Sequence, residues 1–225
     1  MVMGEVANQR NVVQAVSAGA PFLAADVGGT HARIALVARQ AHPRQPIGVL
    51  HYERYACGEW PSLAAILADF AGRHEARANQ CVVAIAGYVA GDAIANTNLP
   101  WQVSLAEIRN GLGLERLSVV NDFEAVAYAS QYVDQADTVP VILGSREPAP
   151  GPVIVMGPGT GLGSAVLLPG QPHAQVLHTE GGQIALAPGN ELEIEILRIF
   201  ARTRSYVSAE QILSGPGLLQ TYRAI

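Results

Sequence analysis

Phe22-Leu23-Ala24-Ala25-Asp26-Val27-Gly28-Gly29-Thr30-His31-Ala32-Arg33-Ile34-Ala35-Leu36-Val37 is the stretch whose reading decides the fold. The apolar run Phe22 to Val27 is followed by a Gly-Gly-Thr turn, and a second apolar run covers Ile34 to Val37. Short apolar runs bounded by turn residues read as strands, so the segment predicts strand, glycine turn, strand. The same order returns downstream: Val153 to Met156, then Gly157-Pro158-Gly159-Thr160-Gly161-Leu162-Gly163, then Ala165 to Leu168. A unit that recurs suggests internal duplication and two related half-domains.

Between the two copies, Gly144 to Pro152 carries three prolines and two glycines, a composition that breaks regular structure and marks a surface connection. The crossing is therefore expected near residues 132–152. This divides the chain into a flexible leader (1–21), a small N-terminal half-domain (22–132) and the start of a larger one (133–225). Leu63, Ile66, Leu67, Phe70 and Ala71 repeat with helical period, as do Leu192, Ile196, Ile199 and Phe200, so both sets predict amphipathic helices. Strand-like runs Cys81 to Ala86 and Leu117 to Val120 alternate with helices expected after Ser104 and after Asp122. The alternation implies an α/β sheet covered by helices, with chemistry at the strand ends.

Composition narrows the function. A chain of 225 residues, 49% hydrophobic and 15% charged, can bury a sizeable core. Its net charge is −5 and it has no basic cluster, so the electrostatic footprint of a nucleic-acid binder is missing. All 14 basic residues are arginines, which excludes a Schiff-base lysine and a P-loop lysine. Cys57 and Cys81 form no close pair and the six histidines are scattered, so neither a disulfide framework nor a metal cluster is expected, and a reducing cytoplasm fits. No apolar run reaches the roughly 18 residues of a membrane span, and residues 1–20 lack a signal-peptide core.

Glycines in a turn let backbone N–H groups approach an anion closely, and the Thr30 hydroxyl adds a donor beside Gly28 and Gly29. Asp26 closes the preceding strand, where a carboxylate can hold magnesium through water opposite phosphates. An ordinary hairpin turn is the alternative for either cluster. A dinucleotide fingerprint is a further alternative for the second, but that motif opens a helix and here another strand-like run follows.

Asp122 stands where a strand ends and a helix begins, which suits a helix N-cap or a general base for a substrate hydroxyl. Glu180 precedes Gly181 and Gly182, so it is either a solvated turn residue or a carboxylate projecting from a tight turn. Ser208-Ala209-Glu210-Gln211 matches a capping box, with Ser208 as N-cap, Gln211 at N3 and Glu210 in the first turn. Carboxylates and amides also suit polyols, since each can bond two adjacent hydroxyls.

Taken together, Asp26 to Thr30, Thr97-Asn98, Asn121-Asp122-Phe123, Gly157 to Gly163, Glu180-Gly181-Gly182, Val207 to Glu210 and Leu213 to Leu218 resemble the bacterial glucokinases, sugar kinases of the actin and hexokinase superfamily. The resemblance runs from about Phe22 to Ile225. It implies an α/β, actin-like (ribonuclease H-like) ATPase fold of two half-domains, the second incomplete. ATP phosphates would meet Asp26, Val27, Gly28, Gly29 and Thr30 on one hairpin and Gly159, Thr160 and Gly161 on the other, with magnesium near Asp26 through water. Asp122 would be the base for the glucose 6-hydroxyl, and Asn98, Asn121, Glu180, Gln183 and Glu210 the sugar's hydrogen-bonding shell.

Two departures accompany it. Gln183 stands where the family usually has histidine, and the chain stops at Ile225 where family members continue. A C-terminally truncated kinase is expected to leave apolar residues such as Leu213, Leu218 and Leu219 uncovered, and to have little activity and marginal stability. Glucose and ATP are the implied partners, without nucleic acid or membrane, and a homodimer is left open. The alternative is a non-catalytic sugar-binding remnant or regulatory module. A DNA-binding regulator is disfavoured because residues 1–20 are too short for a DNA-binding unit and hold Arg10 as their one basic residue.

Overall fold

The computed structural model describes residues 19–42, 45–95, 99–142, 151–170 and 173–225. The expected leader up to residue 18, Asn98 with Thr97, and residues 143–150 of the expected connection lie outside the described residues. The chain forms two compact units, Met1–Asp122 and Phe123–Ile225.

In the first unit, strands β1 (Phe22–Val27), β2 (His31–Arg39) and β3 (Ile47–Ala56) form an antiparallel meander. Helix α1 (Leu63–Arg73) then leads to β4 (Gln80–Ile85), which lies parallel to β1. Short strands β5 (Tyr88–Ala90), β6 (Ala93–Ala95) and β7 (Val103–Ser104) make a separate small sheet. Helix α2 (Leu105–Leu112) and strand β8 (Arg116–Val120), parallel to β4, complete a five-stranded sheet of order β3-β2-β1-β4-β8.

Side chains alternate across a strand, so Leu23, Ala25 and Val27 of β1 and Cys81, Val83 and Ile85 of β4 are buried on one face. Leu63, Ile66, Leu67 and Phe70 of α1 join the same core, which matches the expected helical stripe. Ser62 caps α1 by accepting the Ala65 N–H at 3.2 Å. Helix α2 ends on Gly113, whose φ of 63° is a left-handed conformation that glycine takes without strain.

The second unit opens with α3 (Asp122–Ala129), whose first residue belongs to the first unit. Its sheet is a second antiparallel meander, β9 (Val153–Pro158), β10 (Leu162–Leu168) and β11 (Gln175–Thr179), of order β11-β10-β9. Ala127 of α3 is fully buried against Ala165 and Leu167, with Phe123, Val155 and Val176 around them. This packing draws α3 into the second unit, so the units part at Asp122/Phe123 rather than near residue 132. Helices α4 (Glu191–Ala201) and α5 (Gly215–Ala224) follow, with Ile196, Phe200 and Val207 forming a smaller core.

The recurrence seen in the sequence extends beyond the hairpins, because each unit carries a three-stranded meander with a glycine turn between its first two strands. The second glycine cluster runs into β10 and not a helix, which removes the dinucleotide reading. The capping box is corrected. Ala209–Gln211 is one 3-10 turn, Ser208 makes no side-chain cap, and its hydroxyl is buried without a partner. A single 3-10 turn does not present the helical N3 amide that a capping box requires. No helix among the described residues is long and apolar enough to cross a membrane.

Candidate active site

In the first unit, the strand register sets the geometry. Val27 aligns with Ile85, and Ala84 with Val120, so the parallel strands β1, β4 and β8 end along one sheet edge. From that edge emerge the Gly28-Gly29-Thr30 turn and, two strands away, Asn121 and Asp122. Two strand spacings separate them by roughly 10 Å, within the span of a phosphoryl donor and a sugar. Ligands of open α/β sheets sit at such carboxyl ends.

Around the first turn, Gly28 N–H donates to the His31 carbonyl at 3.0 Å. The turn is braced from behind: Cys57 N–H donates to the Thr30 carbonyl at 2.9 Å, the Cys57 thiol to the Gly28 carbonyl at 3.5 Å, and Trp101 Nε1–H to the Cys57 carbonyl at 3.0 Å. Thr30 Oγ1 lies 3.0 Å from His31 Nδ1. Val27 is buried in the core, so only its backbone is available to a ligand. Asp26 is half-exposed and its Oδ2 accepts from Arg33 Nη1 at 2.7 Å.

That ion pair bears on magnesium. No group of three or more His, Cys, Asp or Glu side chains that could hold a metal occurs among the described residues. One arginine-paired carboxylate fits an ion carried mainly by phosphates and water, and does not fit a protein cage.

In the second unit, the Gly159-Thr160-Gly161 turn is exposed to half-exposed, closed by a 2.8 Å bond from Gly159 N–H to the Gly161 carbonyl. Gly215 N–H also donates to the Gly159 carbonyl at 2.8 Å. Glu210 reaches this turn: its Oε2 accepts the Leu162 N–H and its Oε1 accepts Gln183 Nε2–H, each at 2.8 Å. A Cβ on Gly161 would collide with Glu210 Oε2, and one on Gly182 with the Leu162 carbonyl. Gly28, Gly159 and Gly161 are not among the positive-φ residues, and of the three it is Gly161 whose neighbours leave no room for a Cβ. The Glu180-Gly181-Gly182 turn is held by Gly181 N–H donating to the Ser164 hydroxyl at 3.0 Å, while the Glu180 side chain stays largely in solvent, 3.5 Å from His178 Nε2.

The second unit thus brings together Gly159, Gly161, Gln183 and Glu210. Glu180 projects from the neighbouring turn, and Thr160 is exposed. The first unit brings Asp26 to Thr30 to the same edge as Asn121 and Asp122. Asp122 is the first residue of α3 rather than the residue preceding it, so it is not in the N-cap position weighed from the sequence. The sequence reading missed Arg33, Cys57, Trp101 and Ser164. Arg33 had a signal: a three-residue turn pairs Val27 with Ala32 and therefore Asp26 with Arg33.

Two glycine-turn meanders, with carboxylates on the adjoining turns, define the class: the actin-like α/β fold of sugar kinases. A crystal structure of glucokinase from an Antarctic psychrotroph superposes with a TM-score of 0.79 at 31% identity, over 92% of this chain and 64% of that one. The family model described as Glucokinase matches residues 23–225, and the chain belongs to the glucokinase family. It is 42% identical to a glucokinase-like protein of Xylella fastidiosa over 205 residues, which is 91% of this chain and 61% of that protein. It is 39% identical to a glucokinase of Yersinia pestis over 204 residues, which is 90% of this chain and 61% of that one. The chain therefore spans about 61% of the length of these relatives.

Proposed function

We propose that the chain belongs to an ATP:D-glucose 6-phosphotransferase, with Asp122 as general base. The observation that carries this reading is the shared sheet edge of the first glycine turn and Asp122. In the proposed step, the glucose 6-hydroxyl oxygen bonds to the γ-phosphorus as its proton passes to the Asp122 carboxylate. The bond between the γ-phosphorus and the bridging oxygen breaks, and ADP leaves. Little covalent help is needed, because positioning and charge neutralisation dominate phosphoryl transfer.

The backbone of the Gly28-Gly29-Thr30 turn binds phosphate oxygens, with Arg33 holding the Asp26 carboxylate in place beside it, and the Gly159-Thr160-Gly161 turn of the second unit offers phosphate-binding amides of its own. Magnesium, when bound with ATP near Asp26, supplies neutralising charge. Asn98 and Asn121 of the first unit, and Glu180, Gln183 and Glu210 of the second, are the proposed partners of the sugar hydroxyls. Within the second unit, Glu210 joins Gln183 to the glycine turn, since one of its oxygens holds the Leu162 amide and the other Gln183.

A coupled assay for glucose 6-phosphate with ATP and magnesium, run on the 225-residue chain and on any longer gene product, tests the reading, together with calorimetry for glucose. The proposal predicts both binding and transfer in the longer product. Glucose binding without transfer would favour the sugar-binding remnant, and neither would remove the proposal.

A further inference from the structure

Gly157 of β9 lies opposite Gly163 of β10. A Cβ on Gly157 would fall 2.8 Å from Phe123 Cζ, and one on Gly163 would fall inside the Phe123 ring carbons. The cross-strand glycine pair is thus a seat for this one aromatic ring. Ala127, one turn along α3, is fully buried against Ala165 and Leu167 of the same sheet. Phe123 and Ala127, at i and i+4, dock the first turns of α3 onto the strands that carry the Gly159-Thr160-Gly161 turn.

We infer that Phe123 is a positioning residue that fixes the first turn of α3, and with it the backbone of the adjoining Asp122, and that Gly157 and Gly163 are glycines in order to seat its ring. This inference rests on the proposed role of Asp122. Adjacent Cα atoms are held about 3.8 Å apart, so fixing Phe123 fixes the backbone of Asp122 to within a small arc. Phe123 acts through Asp122 and need not touch substrate. Displacement of the base by about 1 Å is enough to slow transfer about a hundredfold.

The test uses the full chain as wild type, Phe123→Leu, Phe123→Ala, Gly163→Ala and the Phe123→Ala/Gly163→Ala double variant. Amide exchange over α3, melting temperature, and kcat with KM for glucose are measured. Phe123→Ala is expected to speed exchange in the first turn of α3 and to lower kcat by about tenfold or more, with KM within about twofold. Phe123→Leu should recover part of kcat. Gly163→Ala should resemble Phe123→Ala, and the double variant should melt no lower than the worse single, because the added methyl then enters vacated space.

Unchanged α3 exchange in Phe123→Ala would overturn the inference, as would strictly additive losses in the double variant. Parallel loss of kcat, KM and melting temperature would reduce Phe123 to a structural residue and overturn it too. If the 225-residue wild type transfers no phosphate, kcat is read in the longer gene product, while exchange and non-additivity in the chain itself still decide whether Phe123 positions the start of α3.

Discussion

At the scale of single residues, the two ends of the second glycine turn make opposite demands. A methyl on Gly159 meets nothing within 4 Å, whereas one on Gly161 meets the carboxylate that holds both Leu162 and Gln183. To admit that methyl the Glu210 carboxylate must swing off Leu162 and Gln183, so Gly161→Ala should cost about 1 kcal/mol in chemical denaturation, and Gly159→Ala far less. Equal costs would contradict the described turn. Gln183→His restores the residue usual in the family and is expected to tighten glucose binding in calorimetry, and equal dissociation constants would count against a sugar contact there. Burial pushes the Cys81 thiol from 9.0 up to about 12. The folded chain then holds that proton more tightly than the unfolded one, so its contribution to stability is complete below about 9 and is lost as pH rises towards about 12. Alkaline melts of Cys81→Ala should decline less steeply than those of the wild type. Some decline persists through Tyr55, whose hydroxyl is also raised by burial and by its bond to Asp69.

At the scale of elements, two serines that look alike in sequence behave differently. Ser62 accepts the Ala65 amide and donates to Glu107 at 2.9 Å, so Ser62→Ala should cost about 1 kcal/mol. Ser208 buries an unpartnered hydroxyl, so Ser208→Ala should be neutral or stabilising in the same urea titration. A loss at Ser208 matching that at Ser62 would contradict this contrast. The difference shows where local reading stops. The strands flanking Gly28 to Thr30, the stripe of α1 and the second hairpin follow from period and turn chemistry, which act between near neighbours. Whether Ser208 caps anything depends on whether a helix follows it, and the chain turns for only three residues before Ser214 starts another. The brace of Cys57 and Trp101 behind the first turn, and the seat of Phe123, join residues far apart in sequence and have no local signature.

At the scale of the molecule, each unit carries its own meander and its own core, and the division falls where α3 commits its buried side chains. Composition marked a later crossing because prolines report where regular structure stops, while the division follows from what α3 packs against. Leu213, Leu218 and Leu219 are 52%, 65% and 50% exposed. The central proposal is that Asp122, at the sheet edge that carries the first glycine turn, serves as the base. The most direct measurement compares wild type and Asp122→Asn for transfer of the ATP γ-phosphate to glucose, with glucose affinity measured alongside. The account predicts that transfer falls by about a hundredfold or more while glucose affinity changes little, because the amide keeps the side chain's size and removes its basicity. Undiminished transfer by Asp122→Asn would contradict it.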